Sequence, residues 1–339
     1  MSEGPRVAVV GAGSWGTAVA ALVSTNAETV LWARRSELAA AINDRHENPD
    51  YLPGVELPGD LRVTADIEEA CATADVVVLG VPSHGMRAVL AEAAEYVRPA
   101  VPVVSLAKGV EQGTLRRMTE IIAEVLPTHL RERIGVLTGP NLAREIAVGQ
   151  PAASVVAVED ELTAEDLQRL LMTATFRVYT NPDVVGCEIA GALKNVMAIA
   201  AGIADGLGYG DNTKAALLTR GLAELTRLGI GLGGNPLTFS GLAGMGDLVA
   251  TCTSTQSRNR TVGVQLGKGR QIDDIVADMK MVAEGVKSTA AVLELARRHR
   301  VEMPIAEQVG AVLYEGKRAE DLVTSLMLRE AKPELHGIT

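Results

Sequence analysis

Val7-Ala8-Val9-Val10-Gly11-Ala12-Gly13-Ser14-Trp15-Gly16-Thr17-Ala18 joins a run of apolar, mostly β-branched residues to a glycine-rich turn and then to helix formers. The continuous apolar run reads as a strand covered on both faces. Gly11, Gly13 and Gly16 each remove a Cβ: where a turn must be tight, where a pyrophosphate must approach the backbone, and where helix must pack on strand. The pyrophosphate would then sit on free N–H groups at the positive end of the helix dipole. A GxGxxG alone also serves ordinary glycine turns. The strand before it, the helix-forming Ala18-Val19-Ala20-Ala21-Leu22 after it and its place at the chain start select the dinucleotide reading.

The next strand, Thr29-Val30-Leu31-Trp32-Ala33, ends in Arg34-Arg35, about twenty residues past the glycines, where a dinucleotide fold reads the ribose. No carboxylate stands there to hold the ribose hydroxyls. Two guanidiniums offer charge-assisted bonds to a 2′-phosphate, or a stacking face for adenine, or simply a solvated start to the helix at Ser36. The cofactor is therefore NAD(H) or NADP(H), with the choice open.

Further apolar runs alternate with helical patterns at Asp75–Val81, Val101–Ala107, Ile134–Thr138 and Ser154–Val158, which predicts a right-handed, doubly wound α/β sheet. The prolines and glycines of Asn48–Gly59 forbid regular helix and predict a loop on the sheet surface. After Pro182 helical patterns follow one another through Val184–Ala204, Thr213–Leu228, Arg258–Lys268, Glu284–His299, Pro304–Tyr314 and Ala319–Leu328. Two domains are expected, 1–181 Rossmann-like and 182–339 all helical, in keeping with 339 residues being too many for one comfortable core.

A net charge of −10 without a basic block argues against nucleic acid, and charges interrupt the long apolar stretches, so no membrane span is expected. Cys71, Cys187 and Cys252 cannot all pair and lack metal-ligand spacing; reduced, buried thiols are expected. The first strand begins too early to leave room for a secretory signal, so the expected location is cytoplasmic.

Three clusters carry chemistry. Lys194, in Gly191-Ala192-Leu193-Lys194-Asn195-Val196, lies on an almost entirely apolar or small helix. Its neighbours three and four positions away, Ala190, Gly191, Met197 and Ala198, cannot pair with it, so it either snorkels to solvent or serves a site. Lys108 follows the strand 101–107 at a carboxyl end, where open α/β sheets bind ligands, and Gly109 beside it suggests a turn that fixes its direction. Gly241-Leu242-Ala243-Gly244-Met245-Gly246-Asp247-Leu248 leads into a hydroxyl-rich loop, Thr251 to Ser257, and a helix whose first turn carries Arg258 and Asn259, a natural phosphate site. Arg258 and Arg260 lie on opposite sides of that helix, so only one should face a substrate.

In this order the pieces closely resemble the bacterial type of NAD(P)-dependent glycerol-3-phosphate dehydrogenase over nearly the whole chain. The shared stretches are Gly11 to Ala18, Leu106-Ala107-Lys108-Gly109, Gly139-Pro140 with Glu145, Gly191 to Asn195, Gly241 through Arg260, and Val282-Ala283-Glu284-Gly285. Asn141-Leu142 depart from the serine or alanine and then phenylalanine common in that family. The resemblance implies a Rossmann-like sheet followed by an all-α domain, 6-phosphogluconate-dehydrogenase-like, and reversible hydride transfer between nicotinamide and dihydroxyacetone phosphate or sn-glycerol 3-phosphate for phospholipid backbones. It implies Lys194 as general acid, Lys108 polarising the carbonyl and Asp247 orienting Lys194 or a substrate hydroxyl. Ser257, Arg258, Asn259 and the Gly139 backbone would hold the substrate near its phosphate end. Ser14, Trp15, Arg34, Arg35, Lys108, Ala143, Arg258, Val282 and Glu284 would line the cofactor.

Two rivals stay open: a 3-hydroxyacid or ketopantoate dehydrogenase, against which the arginine and hydroxyl cluster speaks, and a dinucleotide sensor that would leave both lysines unused. The alanine-, glycine- and leucine-rich second half can pack as a core or across a homodimer.

Overall fold

The computed structural model describes residues 4–279 and 283–334. They form two compact units: one runs to Lys108 and resumes over Arg116–Val184, and the other combines Gly109–Leu115 with the chain from Val185 onward. Residues 109–115 thus group with the helical unit although they precede residue 182, and the reason is burial. Val110 and Leu115 lie in the helical unit's core.

The first unit holds eight strands: β1 (Arg6–Val10), β2 (Glu28–Trp32), β3 (Arg62–Thr64), β4 (Val76–Leu79), β5 (Val103–Ser105), β6 (Ile134–Thr138), β7 (Ala152–Ala157) and β8 (Phe176–Asn181). Their order is β3-β2-β1-β4-β5-β6-β7-β8. Neighbours run parallel, with Val7 opposite both Thr29 and Val76, save for the antiparallel pair β6 and β7. The first six strands have the order of dinucleotide folds, whose ligand crevice opens where β1 and β4 send their connections to opposite faces. Alternation along β1 fills two cores: Val7 and Val9 join one cluster with Leu31 and Val104, and Ala8 and Val10 join the other with Val77 and Leu79. That double covering is what the unbroken apolar run predicts.

The second unit contains the long helices Val184–Gly206, Asp211–Gly231, Arg258–Gly267, Glu284–His299, Pro304–Tyr314 and Ala319–Met327, with short helices Pro236–Phe239, Asp247–Thr253 and Ile272–Asp278. Helix Val184–Gly206 is long and apolar enough to cross a membrane, yet 94% of its most apolar window is buried inside the protein. It is the central core helix, and glycines let its neighbour touch its backbone. A Cβ on Gly202 would lie 2.1 Å from the Arg260 carbonyl oxygen, and one on Gly263 would lie 2.1 Å from that of Ile199. Gly206 and Gly267 repeat the contact one turn on. The result is a seam that forbids any side chain between helices Val184–Gly206 and Arg258–Gly267.

The segment Gly241–Leu248 is helical over most of its length. Leu242–Gly246 forms a π-helical turn that feeds directly into helix Asp247–Thr253. The hydroxyl-rich loop expected over 251–257 therefore shrinks to Ser254–Ser257. Gly244 lies against the backbone of Phe239, whose ring fills the space beside Gly229, so these glycines serve packing.

Candidate active site

In the first unit the glycine turn follows β1 directly. Gly11 adopts φ +118°, and a Cβ there would meet the Gly80 backbone at 2.8 Å. A Cβ on Gly16 would lie 2.0 Å from the Gly11 carbonyl oxygen, so Gly11, Gly16 and Gly80 pin turn, helix and β4 together. Gly13 differs: nothing lies within 4 Å of where its Cβ would stand. No packing explains that glycine, whereas a ligand lying on the backbone does. The helix it starts, Ser14–Val23, has no side-chain cap, which leaves its first N–H groups for an anion. Beside it the buried Nε1 of Trp15 has no partner. These residues fit a dinucleotide's pyrophosphate.

The loop 48–59 turns out to hold that cradle. Asn48 is fully buried; its amide donates to the Ala12 carbonyl at 2.9 Å and to the Thr17 hydroxyl at 2.8 Å, and its Oδ1 accepts from the Tyr51 N–H at 3.1 Å. Ser14 Oγ donates to the Tyr51 carbonyl at 2.6 Å. At the end of β2 the Arg35 guanidinium pairs with Asp50 and lies 5.9 Å from the centre of the Tyr51 ring; Arg34 is exposed.

Lys108 stands past β5, and its Nζ donates to the Gly139 carbonyl at 2.8 Å. Gly139 follows β6 with φ +137°, a conformation that a side chain would strain. Lys108 and Gly139, two separately expected site residues, are thus brought together. Asn141 has a local role: its Nδ2 donates to Ser154 Oγ at 3.1 Å, and that hydroxyl donates to the Thr138 carbonyl at 2.7 Å. Asn141 Oδ1 and Thr138 Oγ1 remain buried and unpartnered beside them. Ala143 opens helix Ala143–Ala147, which packs on the glycine helix.

In the second unit Lys194 does not snorkel. It is buried, and its Nζ donates to Asp247 Oδ1 at 2.5 Å and to Thr251 Oγ1 at 2.6 Å. Thr251 in turn donates to Asp247 Oδ1 at 3.3 Å, one helical turn away on the same helix. An ammonium has three N–H groups, so two fixed acceptors leave one for a ligand oxygen. The neighbouring Asn195 is buried, and its carbonyl lies 2.9 Å from where a Cβ on Gly285 would be. The Gly285 N–H donates to Asn259 Oδ1 at 2.9 Å. Asn195, Asn259 and Gly285 therefore lie close together beside the turn that carries Lys194.

Ser257 caps helix Arg258–Gly267 by accepting the Arg260 N–H at 3.3 Å. Arg260 pairs with Asp205 at 2.7 Å, and Lys214 holds the other Asp205 oxygen at 3.0 Å. Arg258, two positions earlier, is exposed. The two arginines thus have different surroundings, as their spacing predicts. Glu284 stands in the first turn of helix Glu284–His299, next to Gly285, and Val282 lies outside the described residues. Cys71, Cys187 and Cys252 are buried and outside any disulfide, and burial pushes Cys71 up to about 11 and Cys252 up to about 12. Neither is a nucleophile near neutral pH.

Thr251, Asn48 and Gly80 were not foreseeable as site residues from spacing. Asp247 and Thr251 are one helical turn apart, a usable signal only once residues 247–253 are known to be helical.

Residues 6–164 match the family model for the N-terminus of NAD-dependent glycerol-3-phosphate dehydrogenase, and 183–324 match that for its C-terminus. Relatives named glycerol-3-phosphate dehydrogenase [NAD(P)+] include one from Sphingopyxis alaskensis, 56% identical over 98% of each chain. Another, from Thermobifida fusca, is 55% identical over 98% of this chain and 99% of its own. Among solved structures, glycerol-3-phosphate dehydrogenase from Coxiella burnetii superposes with a TM-score of 0.90 at 35% identity, covering 96% of this chain and 99% of that one. A ketopantoate reductase from Ralstonia eutropha, 14% identical with a TM-score of 0.57, shares the fold alone. With a glycine cradle in one unit, a buried lysine cluster in the other and matches across both, this chain belongs to the NAD-dependent glycerol-3-phosphate dehydrogenase family.

Proposed function

We propose that this protein interconverts dihydroxyacetone phosphate and sn-glycerol 3-phosphate with NAD(H) or NADP(H), supplying the backbone of glycerophospholipids. The observation that carries this reading is the buried Lys194, clamped by Asp247 and Thr251 with one N–H left over. A bound nicotinamide would supply the hydride for reduction and take it back in oxidation. Gly13 and the uncapped start of its helix would hold the pyrophosphate, on a turn that Gly11 and Gly16 keep tight; Ser14 and Trp15 would flank it, and Arg34 and Arg35 would take the ribose end. The family resemblance also implies Ala143, Val282 and Glu284 at the cofactor, and Lys108 and Arg258 at cofactor and substrate alike.

During reduction charge grows on the C2 oxygen of the substrate. Lys194 gives that oxygen its proton and recovers it in the reverse direction. Asp247 and Thr251 fix the ammonium so that it need not reorganise as the charge develops. Lys108, held by the Gly139 carbonyl, polarises the carbonyl. Ser257 acts as the cap of its helix, whose first turn presents Arg258 and Asn259 to the phosphate end. The proposed assembly is a homodimer in the cytoplasm, which light scattering of the purified protein tests for oligomeric state.

The deciding experiment follows nicotinamide oxidation with dihydroxyacetone phosphate, using NADH and NADPH in parallel, for the wild type and Lys194→Ala. The variant should lose about a thousandfold in kcat while still binding cofactor. Tight cofactor binding by the wild type without turnover of this substrate would overturn the assignment in favour of a sensor or another dehydrogenase.

A further inference from the structure

Dinucleotide folds choose between NAD and NADP at the end of the second strand: a carboxylate there accepts the ribose hydroxyls, and an arginine instead takes the 2′-phosphate. Here Arg34 and Arg35 follow the end of β2 at Trp32, and the strand's own carboxylate, Glu28, stands at its opposite end, leaving none at the ribose position. The structure nevertheless delivers one. Asp50, from the loop after the next helix, lies against the Arg35 guanidinium.

Its position is not accidental to the cradle. Two residues before it, Asn48 is bonded to Ala12 and Thr17 of the glycine turn and helix; one residue after it, the Tyr51 carbonyl takes the Ser14 hydroxyl and the Tyr51 ring lies beside Arg35. The same short segment thus braces the pyrophosphate site and aims a negative charge at the ribose site. Arg34 and Arg35 differ accordingly. Arg35 is paired, whereas Arg34 has no side-chain hydrogen bond or ion pair among the described residues.

We propose that Asp50 sets the cofactor preference. Resting on the dinucleotide reading of this unit, the inference assigns Asp50 to neutralise Arg35 and thereby lower the premium for a 2′-phosphate, so that both NAD(H) and NADP(H) are accepted. The pair is half-exposed, with side chains 50% and 45% accessible. Exposed ion pairs in water are weak, so a phosphate dianion can take the guanidinium over from the carboxylate. Arg34 then supplies the unopposed part of the preference for phosphate.

The test compares adenosine 2′,5′-bisphosphate with adenosine 5′-monophosphate by calorimetry on the full chain, alongside kcat/KM for NADPH and NADH. Asp50→Asn, which keeps the shape and removes the charge, should raise the affinity ratio for the 2′-phosphorylated ligand about tenfold. Asp50→Glu should stay close to the wild-type ratio, and Arg34→Ala and Arg35→Ala should each lower it. An unchanged ratio in Asp50→Asn, with 5′-monophosphate still bound as in the wild type, overturns the assignment of Asp50 and leaves the dinucleotide reading standing. Failure of the wild type to bind either adenosine ligand overturns both.

Discussion

Two ion pairs in this molecule look alike on paper and behave as opposites. Lys194 and Asp247 in the helical unit have side chains 8% and 2% accessible; Arg35 and Asp50 in the sheet unit are about half in water. Burial removes the water that would otherwise compensate a broken pair, so the first is held in one geometry and the second can exchange partners. The proton donor proposed for Lys194 suits the former environment, and the dual cofactor acceptance inferred at Arg35 suits the latter.

The sharpest way to break this contrast is to remove one partner of the buried pair. Asp247→Asn leaves the lysine without a counter-charge and should cost about 3–5 kcal/mol in urea unfolding, besides most of the activity. A loss no larger than that of an ordinary surface substitution would show the pair to be solvated and the contrast false.

Glu224 extends the comparison to a buried carboxylate without such a clamp. It accepts the N–H groups of Ile305 and Ala306 at 2.7 and 3.2 Å, at the start of helix Pro304–Tyr314. Burial outweighs those bonds and raises it from 4.5 to about 7. A carboxyl with a raised folded value favours the fold below its unfolded value and loses that contribution as pH climbs to the folded one. Relative to Glu224→Gln, the wild type should therefore lose about 2–3 kcal/mol of stability between about pH 5 and about pH 8. Parallel stability profiles for the two proteins would contradict the assignment.

Gly263→Ala probes the frame around the lysine. Its methyl group would press on the Ile199 carbonyl, so helix Arg258–Gly267 must shift, at about 1–3 kcal/mol in thermal or urea unfolding. The KM for dihydroxyacetone phosphate should rise while that for NADH stays near its original value; equal changes in both would speak for general loosening instead. At the small end, Arg35→Ala should leave the melting temperature unchanged while altering the NADPH to NADH ratio. A clear drop in melting temperature would show the exposed pair to be structural.

Much of this architecture was legible in the chain because it is local. The run Val7–Val10 and its glycines place β1, turn and helix, and the long helices after Pro182 begin and end within a few residues of where apolar periodicity puts them. Strand β3 was not, since Arg62-Val63-Thr64 is too short to show a period, and β8 exposes Arg177 and Tyr179 on its open face. The site was legible as residue types but not as partners. Asp247 meets Lys194 across 53 positions, and Asn48 reaches back to Thr17 across 31. No spacing rule encodes such closures; they follow from packing. The departure at Asn141 became intelligible only once Ser154 was beside it.

The core helix Val184–Gly206 has a consequence for how the chain is made. Before its partners arrive it is a 23-residue segment as apolar as a membrane span, offered to chaperones, to translocation machinery and to other copies of itself. Lys194 sits near its middle, where a charge interrupts both self-association and insertion into lipid. The residue proposed to move the proton in the finished enzyme thus also keeps a charge in the middle of the most apolar helix while the chain is still unfolded.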